Sequence, residues 1–320
     1  MACYASGILK ISEISKGMPY CFRYRLQDNV LNASAKRHGI LVPIIVMGGE
    51  KFPVVIAGHR RFYAAQVLRM QKIPALITKK MGPKEAFLLN LVSNWKQGYS
   101  DMDRAKALEM TVQKFHFKEN EILSIVMPLL GLPSDNIMLK FYRKVSQLQI
   151  SFKDLIENGQ LPFRGISPFL GFSKNDQDYF AKNIGANVKL TSSQLLQAGE
   201  WLSDIIRRTG KCFREFCREH KILAKLDKRG MDPRMKADRF FADVKRLRFP
   251  GYSLRIEEFE AKRSDILQNS KEFRLEPVPG FEEPGFELHA RVRTSRELDQ
   301  LLLTISQKRS LLNSLFEIVL

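Results

Sequence analysis

Residues 52–78 (FPVVIAGHRRFYAAQVLRMQKIPALIT) constrain the fold more than any other stretch of the chain. The apolar run Val54, Val55, Ile56, Ala57 stops at Gly58. The basic pair Arg60 and Arg61 follows, and then Phe62, Ala65, Val67 and Leu68 recur at helical spacing. The pattern predicts strand, tight glycine turn, helix, with a further strand over 73–78. The start of a helix leaves backbone N–H groups unpaired and carries partial positive charge. Two guanidinium groups added there make a seat for a phosphate or another anion.

The neighbouring segments build a small mixed α/β unit around this junction. Strands are expected at 8–11, 44–47, 52–57 and 73–78, with helices at 29–38 and about 60–71. From Pro83 the pattern turns helical. Residues 84–94 carry Phe87, Leu88, Leu91 and Val92 on one face, and Ser100 to Asp103 is a capping signal for a helix to about Phe115. Further helices are expected at 119–127, 134–145, 152–158, 192–208 and 211–222. Residues 224–236 are polar, basic and broken by Gly230 and Pro233, the mark of a linker. The end reads as a hairpin (273–275 and 286–292) and a helix capped by Ser295 running to about Gln307. Leu298, Leu301, Leu302 and Ile305 give that helix an apolar face, which a dimer interface or a monomer core explains equally.

Charge narrows the class of partner. The chain has 320 residues with 52 Lys and Arg against 34 Asp and Glu, a formal net charge of +18. Residues 1–90 alone hold 14 basic against four acidic residues, whereas residues 271–320 hold seven against eight. Such an excess favours a polyanion, nucleic acid foremost, met by the front of the chain. Cys3, Cys21, Cys212 and Cys217 form no CxxC pair and suggest neither a zinc site nor a disulfide framework; Cys212 and Cys217 are expected to pack as small apolar groups. No secretory signal is evident and no apolar run spans a bilayer, so a cytoplasmic protein is expected, with no membrane partner.

The ordered motifs of the front half resemble the ParB family of chromosome and plasmid partition proteins. ILKISEI (8–14) resembles its opening strand, and Tyr24-Arg25 stands where the family has a short arginine motif. NASAKRHGILVPIIV (32–46) matches at Gly39, Pro43 and Ile44, and Gly58 to Ala65 resembles G-E-R-R-x-x-A-A. Ser93-Asn94, SDMDRAKAL (100–108) and Gly159-Gln160-Leu161 continue the likeness to about residue 180. The resemblance implies an α+β multidomain fold. Residues 1–82 would be a small mixed α/β nucleotide-binding domain and 83–223 a largely helical DNA-binding domain with a degenerate helix-turn-helix. Residues 224–240 would be a linker and 241–320 a small α/β C-terminal domain. It further implies CTP and magnesium (Mg2+) as cofactors, double-stranded DNA as partner, a homodimer, a partition ATPase as a second partner, and association with the nucleoid.

Site residues follow by the same resemblance. Nucleotide contacts fall to Arg25, Gly39, Pro43, Gly58, His59, Arg60, Arg61 and Asn94, with Asn94 also placed to help hold the metal. With Gly131 as the turn glycine, Val126, Leu130, Leu132 and Ile137 take core positions. Ser134, Asp135, Asn136 and Lys140 would then meet base edges, and Arg143 and Lys144 phosphates. Three departures bear on the chemistry. His59 stands where the signature has the glutamate associated with hydrolysis, and an imidazole is no carboxylate. Ser93 replaces an acidic neighbour of Asn94, a hard ligand of the kind magnesium prefers. Lys96-Gln97 replaces Gln-Arg. His59, taken by itself, reads as an exposed turn residue, Asn94 equally as a helix-end cap, and Trp95 and Tyr99 as aromatics packing the domains. A weak CTPase is the most the resemblance supports as an enzyme. Two other functions stay open: a DNA-binding or adaptor protein that has lost nucleotide switching, and an enzyme acting on a phosphorylated small molecule. A sulfiredoxin-like reaction is excluded because no cysteine lies between Gly58 and His59.

Overall fold

The structure, a computed structural model, describes residues 4–49, 52–95, 98–227, 230–267, 273–279 and 283–319. Cys3 and Lys96-Gln97 lie outside the described residues. The chain divides into two compact units, Met1–Leu196 and Gln197–Leu320.

The first unit opens with a four-stranded sheet of order β1-β4-β2-β3. β1 (Ala5–Lys10) runs antiparallel to β4 (Lys72–Thr78), which lies parallel to β2 (Ile44–Met47); β2 pairs antiparallel with β3 (Val54–Ala57). β-Branched residues occupy three of the four positions in each of β2 and β3, suited to a sheet buried on a face. Pro74 sits opposite Ile8, and β2 begins to pair only at Ala75, so the missing N–H falls where β4 still has a single neighbour. α1 (Asn29–His38) is capped by the Asp28 side chain, which accepts from the Leu31 N–H, and is closed by Gly39 at φ +72°. α2 (His59–Val67) crosses from β3 to β4 and buries Phe62 and Ala65 against Ile44, Val46, Val55, Ile73 and Ala75. Burial of a side chain the size of Phe62 stabilises by about 1.5–3 kcal/mol.

α3 (Pro83–Asn94) and α4 (Asp101–Gln113) follow. α4 begins with the capping box read from the sequence, Ser100 and Asp103 each accepting from the other's backbone N–H. Tyr20, Phe22, Phe87, Tyr99 and Phe115 form an aromatic cluster between this helical part and the segment before α1. Tyr99 belongs to it and donates to the Leu91 carbonyl, whereas Trp95 is 61% exposed and takes no part in the packing expected of it.

Residues 119–129 form one helical stretch whose middle, Ile122–Val126, is a π turn. Pro128 therefore does not break the helix. It has no N–H to offer the regular ladder, and the widened turn just before it absorbs the mismatch. Gly131 turns the chain at φ +68°, and the next helix is Asn136–Ser146. Val126, Met127 and Leu130 are fully buried, but Ile137 is 78% exposed and is not the core residue expected. The helix begins two residues later than the sequence suggests, and its inward face is Leu139, Tyr142, Val145 and Ser146, at spacings of three and four.

The second unit is helical with a terminal hairpin. Residues 233–236, inside the stretch expected as a linker, are the first turn of the helix Pro233–Arg248, capped by Asp232. A second long helix, Pro250–Leu267, follows. β5 (Phe273–Pro277) and β6 (Phe286–Ala290) pair antiparallel, and the helices Ser295–Gln307 and Arg309–Val319 cover Phe259, Phe273 and Leu275. Thr294, not Ser295, caps the first of these two. Leu301 is buried and Ile305 packs on the core, while Leu298 and Leu302 are 43% and 56% exposed. Cys217 is buried as expected; Cys212 is exposed.

Candidate functional site

The turn between β3 and α2 carries the adjacent basic pair Arg60 and Arg61. Gly58 caps α2 in the left-handed region (φ 87°, ψ 26°), which a glycine adopts at little cost. A Cβ there would sit 3.0 Å from Ile44 Cγ2 and 3.1 Å from Arg61 Nη2. The glycine thus lets the Arg61 guanidinium fold back over the backbone. From that position Arg61 donates to the Val42 carbonyl (2.8 Å) and the Pro43 carbonyl (2.6 Å), fixing the loop between α1 and β2. No carboxylate among the described residues meets it, and burial lowers its pKa. Arg60 donates to the Arg25 carbonyl at 3.2 Å and stands 3.8 Å from Asp28, a loose and half-exposed pairing.

A cavity of about 270 Å³ opens beside the turn, lined among others by Arg23, Asp28, Val42, Arg60, Arg61 and Asn94. Three arginines face it with a single carboxylate. Its volume is near the lower end of the ~300–1,000 Å³ usual for ligand clefts.

The sequence motifs point to Arg25 and pass over Arg23. The structure places Arg25 on the surface and Arg23, 6% exposed, in the cavity wall. Arg23 Nη1 bonds Asp103 Oδ2 at 2.6 Å and the Gly98 carbonyl at 3.0 Å, and Nη2 bonds Asn94 Oδ1 at 3.2 Å. Tyr24 adds a bond from its N–H to Asp103 Oδ1 and another from its hydroxyl to Asp154. Arg23 thereby ties the cleft to α3 and α4. Of the other expected residues, Gly58, His59, Arg60, Arg61 and Asn94 come together; Gly39 and Pro43 do not line the cavity, and the Pro43 carbonyl is spent on Arg61.

Asn94 is fully engaged. Its amide donates to the Asn90 carbonyl and side chain, both at 2.8 Å, and its oxygen accepts from Arg23. Ser93 donates to the Leu89 carbonyl. The one carboxylate of the cavity, Asp28, caps α1. Magnesium takes about six hard oxygen ligands, usually including a carboxylate or two, so this donor set does not fit a protein-held magnesium ion.

His59 overturns its expected place. It is 3% exposed, at the first position of α2, and its Nε2 is buried without a hydrogen-bond partner. Burial, and then the charges of Lys106, Arg23 and Arg61, push its pKa down to about 4 despite a bond to the Val55 backbone. The folded protein therefore holds the ring neutral while the unfolded chain binds a proton below about pH 6.5. Stability from this group is present above pH 6.5 and is lost as pH falls toward 4, by at most about 1.4 kcal/mol per pH unit. Urea midpoints measured from pH 7 to 4.5 should show that decline, and His59→Phe should flatten it.

On the helix Asn136–Ser146 and the turn before it, Ser134, Asn136, Lys140, Arg143 and Lys144 are all exposed. Asp135 is occupied within the helix start, where its carboxylate accepts from the Ile137 and Met138 N–H groups as the cap. Asp135→Ala should cost about 1 kcal/mol, read in chemical denaturation.

Residues 9–95 match the family model described as ParB N-terminal domain. A probable chromosome-partitioning protein ParB of Pseudomonas putida is 24% identical over 177 residues, covering 53% of this chain and 57% of the relative. That of Vibrio cholerae is 26% identical over 197 residues, 59% of this chain and 63% of the relative. A nucleoid occlusion protein of Listeria monocytogenes is 32% identical over 110 residues, 32% of this chain and 38% of the relative. The chain thus spans roughly half to three fifths of the chromosome-partitioning relatives it matches. Among solved structures, C-terminally truncated Caulobacter crescentus ParB complexed to the centromeric parS site superposes with TM-score 0.37 at 14% identity, covering 61% of this chain and 98% of that one. Its complex with CTP-γ-S gives TM-score 0.25 at 16% identity, 56% and 97% covered. Both superpositions are too loose to carry an argument.

Proposed function

We propose that this chain, whose front carries a ParB N-terminal domain over residues 9–95, is a ParB-like DNA-binding protein that takes CTP or a similar nucleotide in the arginine-lined cavity. The observation that carries the reading is the room left at the Gly58 turn beside Arg60 and Arg61, with Arg61 held by carbonyls and no carboxylate. The phosphates sit at the start of α2, where backbone N–H groups and two guanidinium groups converge. Arg23, neutralised by Asp103, relays occupancy of the cleft to α3 and α4. The helices from residue 83 onward hold double-stranded DNA, with Ser134, Asn136 and Lys140 toward the bases and Arg143 and Lys144 toward phosphate. A homodimer forms through the C-terminal unit, whose Leu298 and Leu302 are exposed.

Magnesium, if present, rides on the triphosphate and draws no ligand from Asn94. With a pKa of about 4, His59 is a poor general base near neutral pH. The role proposed is therefore binding rather than turnover. No helix among the described residues is long and apolar enough to cross a membrane.

Calorimetry with a nucleotide panel, with and without magnesium and duplex DNA, tests the reading. Saturable binding of CTP is expected; absence of heat with every nucleotide under every condition refutes it. The engagement of Asn94 and the lone cap carboxylate favour a second reading, a DNA-binding protein without a nucleotide switch. Salt-sensitive DNA binding indifferent to CTP would select it.

A further inference from the structure

A second cationic cavity lies at the other end of α2. It has a volume of about 550 Å³ and is bounded by the end of β1, the turn after α2 and the start of β4. Lys10, Lys16, Arg69 and Lys72 line it, with Ser12 and Gln71 between them and no carboxylate in the wall. Lys10 reaches Glu13 at 3.0 Å on the exposed side; Lys16, Arg69 and Lys72 have no ion pair among the described residues. Twelve residues of turn and helix, Gly58 to Arg69, separate this cavity from the arginine cleft, on the order of 15 Å at 1.5 Å per residue.

The backbone gives an independent sign that the charge there is wanted. α2 closes in a Schellman arrangement: the Arg69 N–H bonds the Gln66 carbonyl and the Met70 N–H bonds the Ala65 carbonyl. The residue in the left-handed position of that motif is ordinarily glycine. Here it is Arg69, at φ +52°. A β-carbon at such a φ is strained, and the strain is retained at a position whose side chain faces the cavity. A cation in the last turn complements the helix dipole, but that need is met by one charge. It accounts neither for Lys10 and Lys16, which come from β1 and the segment after it, nor for the choice of arginine over glycine.

We propose that this cavity is a second phosphate-binding site, which grips the backbone of a nucleic-acid strand independently of sequence. Four cations around an open cavity with polar amide and hydroxyl groups between them suit successive phosphates. The net +10 of residues 1–90 supplies the long-range attraction.

The test is fluorescence anisotropy with a labelled duplex of arbitrary sequence, across a salt series, on the full chain. Lys16→Ala/Arg69→Gly should weaken binding at least tenfold at low salt. It should make the slope of log affinity against log salt shallower by about 2, since each phosphate contact contributes about 0.9. Lys36→Ala/Arg37→Ala, matched in charge and exposed on α1 outside the linings of both cavities, should change both far less. Arg69→Gly alone should leave the thermal midpoint unchanged or raise it, so the loss of binding is not a loss of fold. CTP affinity, measured alongside, should be unaltered, which separates this site from the cleft at Gly58. An equal effect of the two double variants overturns the proposal. So does a fall in midpoint with Arg69→Gly, or binding of inorganic phosphate at the cavity while duplex affinity stays as in the parent.

Discussion

Replacing Arg23 by alanine is expected to destabilise the unit 1–196 by about 3–5 kcal/mol, the usual cost of removing one partner of a buried ion pair. Arg23 is 6% exposed and Asp103 1%, and their 2.6 Å contact is the most buried ion pair among the described residues. Without the guanidinium, the largely buried Asp103 carboxylate is left without its cation. The Tyr24 and Ser100 N–H groups would still donate to it, so the lower half of that range is expected. The Gly98 carbonyl and Asn94 Oδ1 would lose their donor as well. A urea midpoint carries the measurement. The double variant Arg23→Met/Asp103→Leu should recover most of the loss, because taking away both charges removes the desolvation problem along with the attraction. A single variant that loses less than 1 kcal/mol would show that Arg23 is not the brace between the cleft and α4.

This pair also marks where sequence reading stops. Local signals are legible because they act within a few residues: Gly39 ends α1, Ser100 and Asp103 cap α4, and Gly131 turns at φ +68°. The β-branched run 44–46 and the glycine after Ala57 locate the sheet and the helix start. Arg23 and Arg25 are indistinguishable by such signals. What buries one of them is Asp103, eighty residues away. A polar residue beside a turn is usually exposed, and His59 reads that way. It is 3% exposed at the first position of α2, in the lining of the cavity with Arg23, Arg60 and Arg61. Counting from the turn at Gly131 places Ile137 in the core; two residues before the buried Leu139, it stands about 200° round the helix from that side chain and points outward. The helices Pro233–Arg248 and Pro250–Leu267 are hidden by their charge and by prolines, which read as breaks yet sit in first turns, where proline costs little.

Arg61→Ala is expected to weaken nucleotide binding by at least a hundredfold, about 2.7 kcal/mol, near the upper end of what a charge-assisted hydrogen bond contributes. One side chain has two roles here. Arg61 is a strut, since it holds the Val42 and Pro43 carbonyls, and it is a cation at the mouth of the cleft. Removing it frees the loop ahead of β2 and leaves two carbonyls to find water, so the thermal midpoint should fall too. Arg60 supplies the control. It carries no such strut, being half-exposed and bonded only to the Arg25 carbonyl and loosely to Asp28. Arg60→Ala should therefore cost about tenfold in CTP affinity with no measurable change in midpoint. Arg61→Lys keeps the charge but loses the planar guanidinium, whose Nη1 bonds both carbonyls and whose other N–H groups stay available to phosphate, and should bind with intermediate affinity. Calorimetry and thermal unfolding on the same preparations read both quantities. If Arg61→Ala unfolds earlier yet binds CTP as tightly as the parent chain, the guanidinium is a strut alone and the cleft at Gly58 is not where phosphate docks.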